Sequence, residues 1–419
     1  MNAIDNLIPD NRRALITLLR CALKGSQQCP ALSDASLHSL FQQAREQGVG
    51  TYMYPWLAAQ KVFSETHPQA AEKPLAAWRD AFLRNLVRSD LIRQVLQPTL
   101  TRLTRAGIET IVLKGAWLGA TVYDDPAQRT MSDIDLLVRE ADIEAAHREL
   151  TQAGFTADKD TLHNRFAYEQ RYSHTGLPLP LELHWHVTSA LTPAAPVPDI
   201  EAVWQNAVDS VWHNVPVKAL PPADQLAHQA QHILHHLFAA PLRAYLDIAL
   251  LLKKHGGGLS PSDLAESSAR WRTGRALPFL LNMTSALLET PLPSQLAECC
   301  GGMRPSEAET AVTALFNLPA ARDRAGESTL LDFREASSVG KLRLILRRVF
   351  MPRQFMTLYY PCARSRLGLP LAWFKRAARL YRRGRSLAAA AAEDSFSKHR
   401  HQDIARQRRQ LTEKLLQQP

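Results

Sequence analysis

Asp133 and Asp135 are the residues of this chain whose type and spacing point most directly to chemistry. They flank Ile134 at the head of the apolar run Ile134 to Val138, which predicts a short strand. Two apart on a strand, both carboxylates project from one face and can share a divalent cation. Ile134 and Leu136 to Val138 put that strand in a core, where unpaired acids are expensive and a metal ion would remove the penalty. A short acidic motif also arises as a helix cap beside a solvated strand edge.

Histidines supply a second set of candidates. Between Leu179 and Val187 the chain alternates Leu181, Leu183, Trp185 and Val187 with Glu182, His184 and His186, the pattern of a strand with unlike faces. His184 and His186 therefore read as metal ligands, proton shuttles or plain polar strand residues, and Mg²⁺ prefers oxygen to imidazole. His228, His232 and His236 recur at helical spacing with His235 beside them. A zinc site there is geometrically feasible, but no HExxH glutamate accompanies it and the nearest acids are Asp224 and Asp247. Packing of hydrogen-bonded histidines is the preferred reading of that helix. No GxSxG elbow, Walker A loop or GxGxxG after a strand occurs, and Gly256 to Gly258 reads as a loop.

The elements that must position these residues follow from periodicity. Residues 11–25 and 76–104 carry apolar positions at helical spacing, so the first hundred residues are mainly helical. Ile108 to Leu113 then predicts a strand, Ala116 to Tyr123 a helix, Ile134 to Val138 a strand and Glu140 to Ala153 a charged helix. Arg165 to His174 and Leu179 to Val187 are extended, and Pro193, Pro196 and Pro198 close the module. From Asp199 to about Glu335 the chain reads as helical again, with a strong start at Ala223 after Pro221-Pro222.

At 419 residues, and ~100–200 residues per domain, the chain has room for several domains. An apolar fraction of 46% and a charged fraction of 21% exclude wholesale disorder and a coiled-coil rod. The five cysteines have no regular spacing, which argues against a disulfide framework and for a reducing cytoplasm. The N-terminus does not read as a signal peptide, and no apolar run reaches the ~18 residues of a spanning helix. Net charge is +10, but residues 341–419 hold 19 Lys and Arg against four acids, and subtracting that +15 from +10 leaves −5 for residues 1–340. The basic, aromatic-rich segment 341–385, including the amphipathic stretch after Pro370, suits an anionic membrane surface, RNA or simple packing. Lys398 to Pro419 reads as a solvated helix or frayed end.

A strand ending in Lys114-Gly115, a helix, and a strand opening Asp133-Ile134-Asp135 resembles the layout of the nucleotidyltransferase superfamily that includes DNA polymerase β. More narrowly, Lys114, Gly115, Leu118, Tyr123, Arg129 and Asp133 to Val138 resemble a family of bacterial proteins called uncharacterised nucleotidyltransferases. The resemblance continues through Leu181 to Trp185 and Arg243 to Asp247 and weakly into the tail, so that it covers roughly residues 80–380.

It implies an α+β fold: a small mixed β-sheet nucleotidyltransferase core (96–198) between an N-terminal helical region (1–95) and a helical domain (199–340), followed by the basic amphipathic segment (341–419). It further implies a Mg²⁺- or Mn²⁺-dependent transfer of a nucleoside monophosphate from a nucleoside triphosphate to an unidentified acceptor hydroxyl. Asp133 and Asp135 match the first two metal-binding carboxylates, and Glu182 is the candidate third. Lys114, Gly115 and Arg129 would hold phosphates, while His184, His232, Arg243 and Asp247 are accessory candidates that orient the base or ribose or knit the helical domain to the core. The superfamily's Gly-Ser pair is Gly115-Ala116 here, which motivates the alternative of a catalytically inactive nucleotide-binding or interaction protein of the same fold, attached to membrane or RNA by its tail. The expected location is cytoplasmic, with peripheral attachment at the inner membrane surface as the second option.

Overall fold

The apolar runs pair into one seven-stranded mixed sheet in the computed structural model, which describes residues 4–26, 34–60, 68–158, 168–188, 197–317, 346, 349–350, 353, 356, 360–365, 367–392 and 398–417. Its strands are β1 (Thr110–Val112), β2 (Ile134–Val138), β3 (Thr156–Ala157), β4 (Glu169–Ser173), β5 (Leu181–His184), β6 (Val208–Trp212) and β7 (Val215–Ala219), in the order β3-β4-β5-β2-β1-β7-β6. Helices flank the sheet on both sides in sequence, giving the α+β fold with helical flanks. All five residues of β2 are buried, as its near-continuous apolar run requires at the sheet centre. β2 runs antiparallel to β1 and parallel to β5, and the parallel register sets Asp135 opposite Glu182 and Leu137 opposite His184.

The hairpin β6–β7 corrects the helical reading of the stretch after Asp199, and it carries the sheet past residue 198, the predicted end of the core. Among the described residues there, α7 (Ile200–Asn206) and elements from Pro222 to Asn317 are helical, and 318–335 of the predicted helical stretch lie outside the described residues. His213 and Asn214 turn the hairpin with φ of 44° and 66°, the left-handed pair that a tight two-residue turn needs. Pro216 argues against a strand in sequence, but β7 meets β1 only around Lys218, so the missing N–H falls outside that register.

The N-terminal helices α1 (Asp10–Lys24), α2 (Asp34–Glu46), α3 (Gly50–Ala58) and α4 (Pro68–Arg105) do more than cover the sheet. Buried Asn85 on α4 donates to the carbonyls of Ala127 and Arg129 at 2.7 and 3.2 Å, and Thr51 on α3 donates to Gln128 at 2.8 Å. These bonds fix the loop that leads from α5 (Lys114–Thr121) to β2. From the other side, Trp212 on β6 donates to the Ala116 carbonyl of α5 at 2.9 Å.

After β2 comes α6 (Ile143–Gln152), and after β7 come α8 (Pro222–His235), α9 (Leu242–His255), α10 (Pro261–Trp271), α11 (Ala276–Leu288), α12 (Ser294–Cys300) and α13 (Pro305–Asn317). One hydrophobic cluster runs from Ile4 to Phe316 and also takes in Leu411 and Leu415. Those two leucines lie on the last helix, α15 (Lys398–Gln417), so the C-terminal stretch is a docked helix and not a solvated or frayed end. Buried Arg408 donates from Nε to Leu237 O at 2.6 Å and from Nη2 to His236 O at 2.7 Å, holding the two carbonyls that follow the end of α8. The preceding helix, α14 (Gly368–Ala392), packs through Ala372 in a separate small cluster with Ile143 and Trp185. Part of the basic segment is therefore bolted to the sheet layer. Replacing Arg408 with Met should lower unfolding free energy by about 2–3 kcal/mol, because a buried and a half-buried carbonyl lose a charged donor; urea denaturation of the full chain measures it.

Candidate active site

Asp135 is the centre of the site. It is fully buried in β2, and its Oδ1 accepts from Lys114 Nζ at 3.2 Å and from His184 Nε2 at 2.9 Å. Those two cationic partners pull its carboxyl well below the ordinary range although burial pushes the other way. Because β5 lies parallel in register, Glu182 stands beside Asp135. Ligand atoms of Asp135, Glu182 and His184 all fall within 4.8 Å of one another. Among the described residues this is the one acidic or imidazole cluster with metal-binding spacing.

Glu169, which carried no sequence signal, completes the group. β4 is antiparallel to β5 with Glu169 opposite His184, and Glu169 Oε2 lies 3.5 Å from His184 Nδ1. The imidazole thus sits between three carboxylates, with Glu182 at 3.8 Å, and its pKa is raised by the hydrogen bond to Asp135 and the charge of Glu169 despite burial. His186 lies past the end of β5 and does not join the cluster.

Asp133 immediately precedes β2 and is half-buried, outside the 4.8 Å cluster. Burial and the neighbouring Asp135 raise its pKa, and Lys114 and Arg243 oppose that rise. Four carboxylates therefore face Lys114 and one imidazole. That excess negative charge is the condition a divalent cation relieves, and the Asp135 and Glu182 oxygens are the hard donors that Mg²⁺ or Mn²⁺ takes.

Lys114 occupies the first position of α5 with φ of 42°, in the left-handed region that non-glycine residues avoid. The bend turns the chain from β1 into α5 beneath Asp135, where the Lys114 ammonium is stabilised by Asp135, Asp133 and Glu182. Gly115 leaves room for Met131: a Cβ there would lie 2.6 Å from Met131 Cγ and 2.9 Å from its sulfur, so a larger residue would have to displace that side chain.

Arg129 pairs with Asp247 and not with the cluster. Its Nε and Nη2 donate to Asp247 Oδ1 and Oδ2 at 2.8 and 2.7 Å, and Tyr123 donates to Asp247 Oδ1 at 2.7 Å. The third guanidinium nitrogen donates to Thr130 O. All members are buried, so this bidentate pair knits α9 to the loop before β2.

Arg243, four residues before Asp247 on α9, donates to Thr130 O at 2.7 Å and has no carboxylate within ion-pair distance among the described residues. Burial and the adjacent Arg129 depress its pKa to about 10, so the position favours an added anion. On α8, His228 and His232 face the same region, both feeling the charge of Lys114. Burial drives His228 down to about 3 and His232 well below its ordinary value. His228 stacks on Trp271 at 5.1 Å, and His232 packs edge-on against His236.

The mixed sheet thus carries Asp135 and Glu182 on adjacent strands, with Lys114 reaching them from the start of α5. The sequence profile of the uncharacterised nucleotidyltransferase family matches residues 33–289, more than half of the chain, and the chain belongs to that family. No curated protein matches it. The matched span includes every element that touches the site, from the turn at Gly48, where Thr130 Oγ1 donates to the backbone, to α9.

Two stability measurements test this account. Arg129→Met should destabilise by about 3–5 kcal/mol, since Asp247 would keep a buried charge with only Tyr123 as donor. His228 stays neutral when folded but binds a proton near pH 6.5 when unfolded, so the unfolded state is favoured as pH falls from 6.5 toward 3. His228→Phe should accordingly flatten the loss of unfolding free energy between pH 6.5 and 5 by about 1 kcal/mol per pH unit.

Proposed function

We propose that the chain is a divalent-cation-dependent nucleotidyltransferase that moves a nucleoside monophosphate from a nucleoside triphosphate to an acceptor hydroxyl. The observation that carries this reading is the register of Asp135 with Glu182 beside the half-buried ammonium of Lys114. Asp135, Glu182 and Asp133 would hold Mg²⁺ or Mn²⁺, which when bound supplies charge neutralisation at the triphosphate and acidifies the acceptor hydroxyl. Lys114 and Arg243 take the phosphates, replacing the hydroxyl that Ala116 lacks. In the transfer the acceptor oxygen forms a bond to the α-phosphorus, the α–β phosphoanhydride bond breaks, and pyrophosphate leaves. Glu182 accepts the hydroxyl proton. His184 and Glu169 orient Asp135, and Arg129 with Asp247 positions Arg243 and the loop before β2.

One observation favours the second reading, a nucleotide binder that does not turn over. Asp135 Oδ1 already accepts two hydrogen bonds, from Lys114 and His184, and Ala116 offers no hydroxyl. Calorimetry with each nucleoside triphosphate and Mg²⁺, followed by pyrophosphate detection in the presence of RNA, protein and sugar acceptors, separates the two. Asp135→Asn should lower pyrophosphate release by about 10²–10³-fold with the fold intact. Arg243→Ala should raise KM for the triphosphate by about tenfold with a smaller change in kcat. Tight binding without release by the wild-type chain would establish the binder instead.

A further inference from the structure

From Lys341 to Ala392 the chain carries 13 Lys and Arg and no Asp or Glu. The proposed chemistry uses none of them. α14 runs through this stretch with two unlike sides. On one side Ala372 and Arg376 are buried, and Leu369, Ala372 and Trp373 pack with Ile143 and Trp185. On the other, Leu367 just before the helix and Leu371, Phe374 and Tyr381 within it follow one another at steps of four, three and seven, which aligns them in a single stripe. Their exposures are 92%, 47%, 72% and 67%. Lys375 and Arg382 stand exposed beside the stripe. Large apolar side chains held in water at helical spacing mark a contact surface, and the cations around them define what it contacts.

We propose that this face of α14 docks on an anionic phospholipid bilayer. A helix that lies in the headgroup region needs an apolar stripe to sink among acyl chains and cations alongside it to meet lipid phosphates. Leu367, Leu371 and Phe374 supply the first, and Lys375 and Arg382 the second. A polynucleotide would gain from the same cations but leaves exposed leucines in water, since its recognition rests on phosphate contacts and on aromatic stacking. No helix among the described residues is long and apolar enough to cross a membrane, so the contact is peripheral. The inner side of α14 meets Trp185, the residue after His184, so docking would hold the sheet and its carboxylate cluster at a set height above the lipid surface. This inference is independent of the chemistry proposed above.

Flotation of the full-length chain with vesicles tests it. The chain should float with vesicles of equal parts phosphatidylcholine and phosphatidylglycerol and stay at the bottom with phosphatidylcholine alone. The double variant Leu371→Asp/Phe374→Asp and the charge reversal Lys375→Glu/Arg382→Glu should each bind about tenfold more weakly or worse. All four side chains are exposed, so thermal unfolding followed by circular dichroism should be unchanged in both variants. Absence of flotation with the anionic vesicles, equal flotation with neutral ones, or undiminished binding by both variants would overturn the proposal. So would a chain that ignores both vesicles and shifts single-stranded RNA in a gel.

Discussion

Everything at the site depends on the parallel pairing of two short strands. β2 and β5 are buried at the centre of the sheet, and a slip of one residue between them would turn Glu182 away from Asp135 and set leucine in its place. The register is held by apolar neighbours: Ile134 meets Leu181, and Leu136 meets Leu183. Hydrophobic burial thus holds carboxylates side by side where mutual repulsion would otherwise separate them, and Lys114 and His184 offset part of the charge.

The helices supply the rest of that balance. Arg129 and Asp247 are separated by 118 positions in sequence, yet their bidentate bond closes the loop before β2 onto α9. The same loop is gripped from the N-terminal side by Asn85 and Thr51. A segment held at so many points presents Asp133 and Arg243 in one arrangement, so the helical regions are parts of the site and not mere covering. It also explains why Arg129 serves as a brace: two of its nitrogens go to one carboxylate and the third to a carbonyl, while Arg243 beside it remains available to an anion.

Much of the sheet centre was legible in the sequence because its signals are local. The run Ile134 to Val138 matches β2 residue for residue, and the alternation around Leu181 to His184 marks β5 together with the acid on its polar face. What escaped depends on distant pairing. Glu169 sits in an extended stretch like any polar strand residue, and only the β4–β5 register brings it to His184. The hairpin at Val208–Ala219 was hidden by the helical composition around it and by Pro216. The phosphate role expected of Arg129 rested on its place in a motif, whereas its partner on α9 is fixed by the tertiary fold.

Arg408 makes the packing around α8 depend on a helix encoded far along the chain. On the ribosome, the sheet and α8 emerge long before the residue that satisfies the carbonyls of His236 and Leu237. Until α15 arrives, the seat of Leu411 and Leu415 on the main core also stays open to water. A nascent or nicked chain lacking α15 therefore displays apolar surface and unsatisfied backbone next to the histidine-bearing helix, the features that chaperones and proteases read. The core beside the sheet is thereby closed by a helix that supplies none of the residues of the carboxylate cluster.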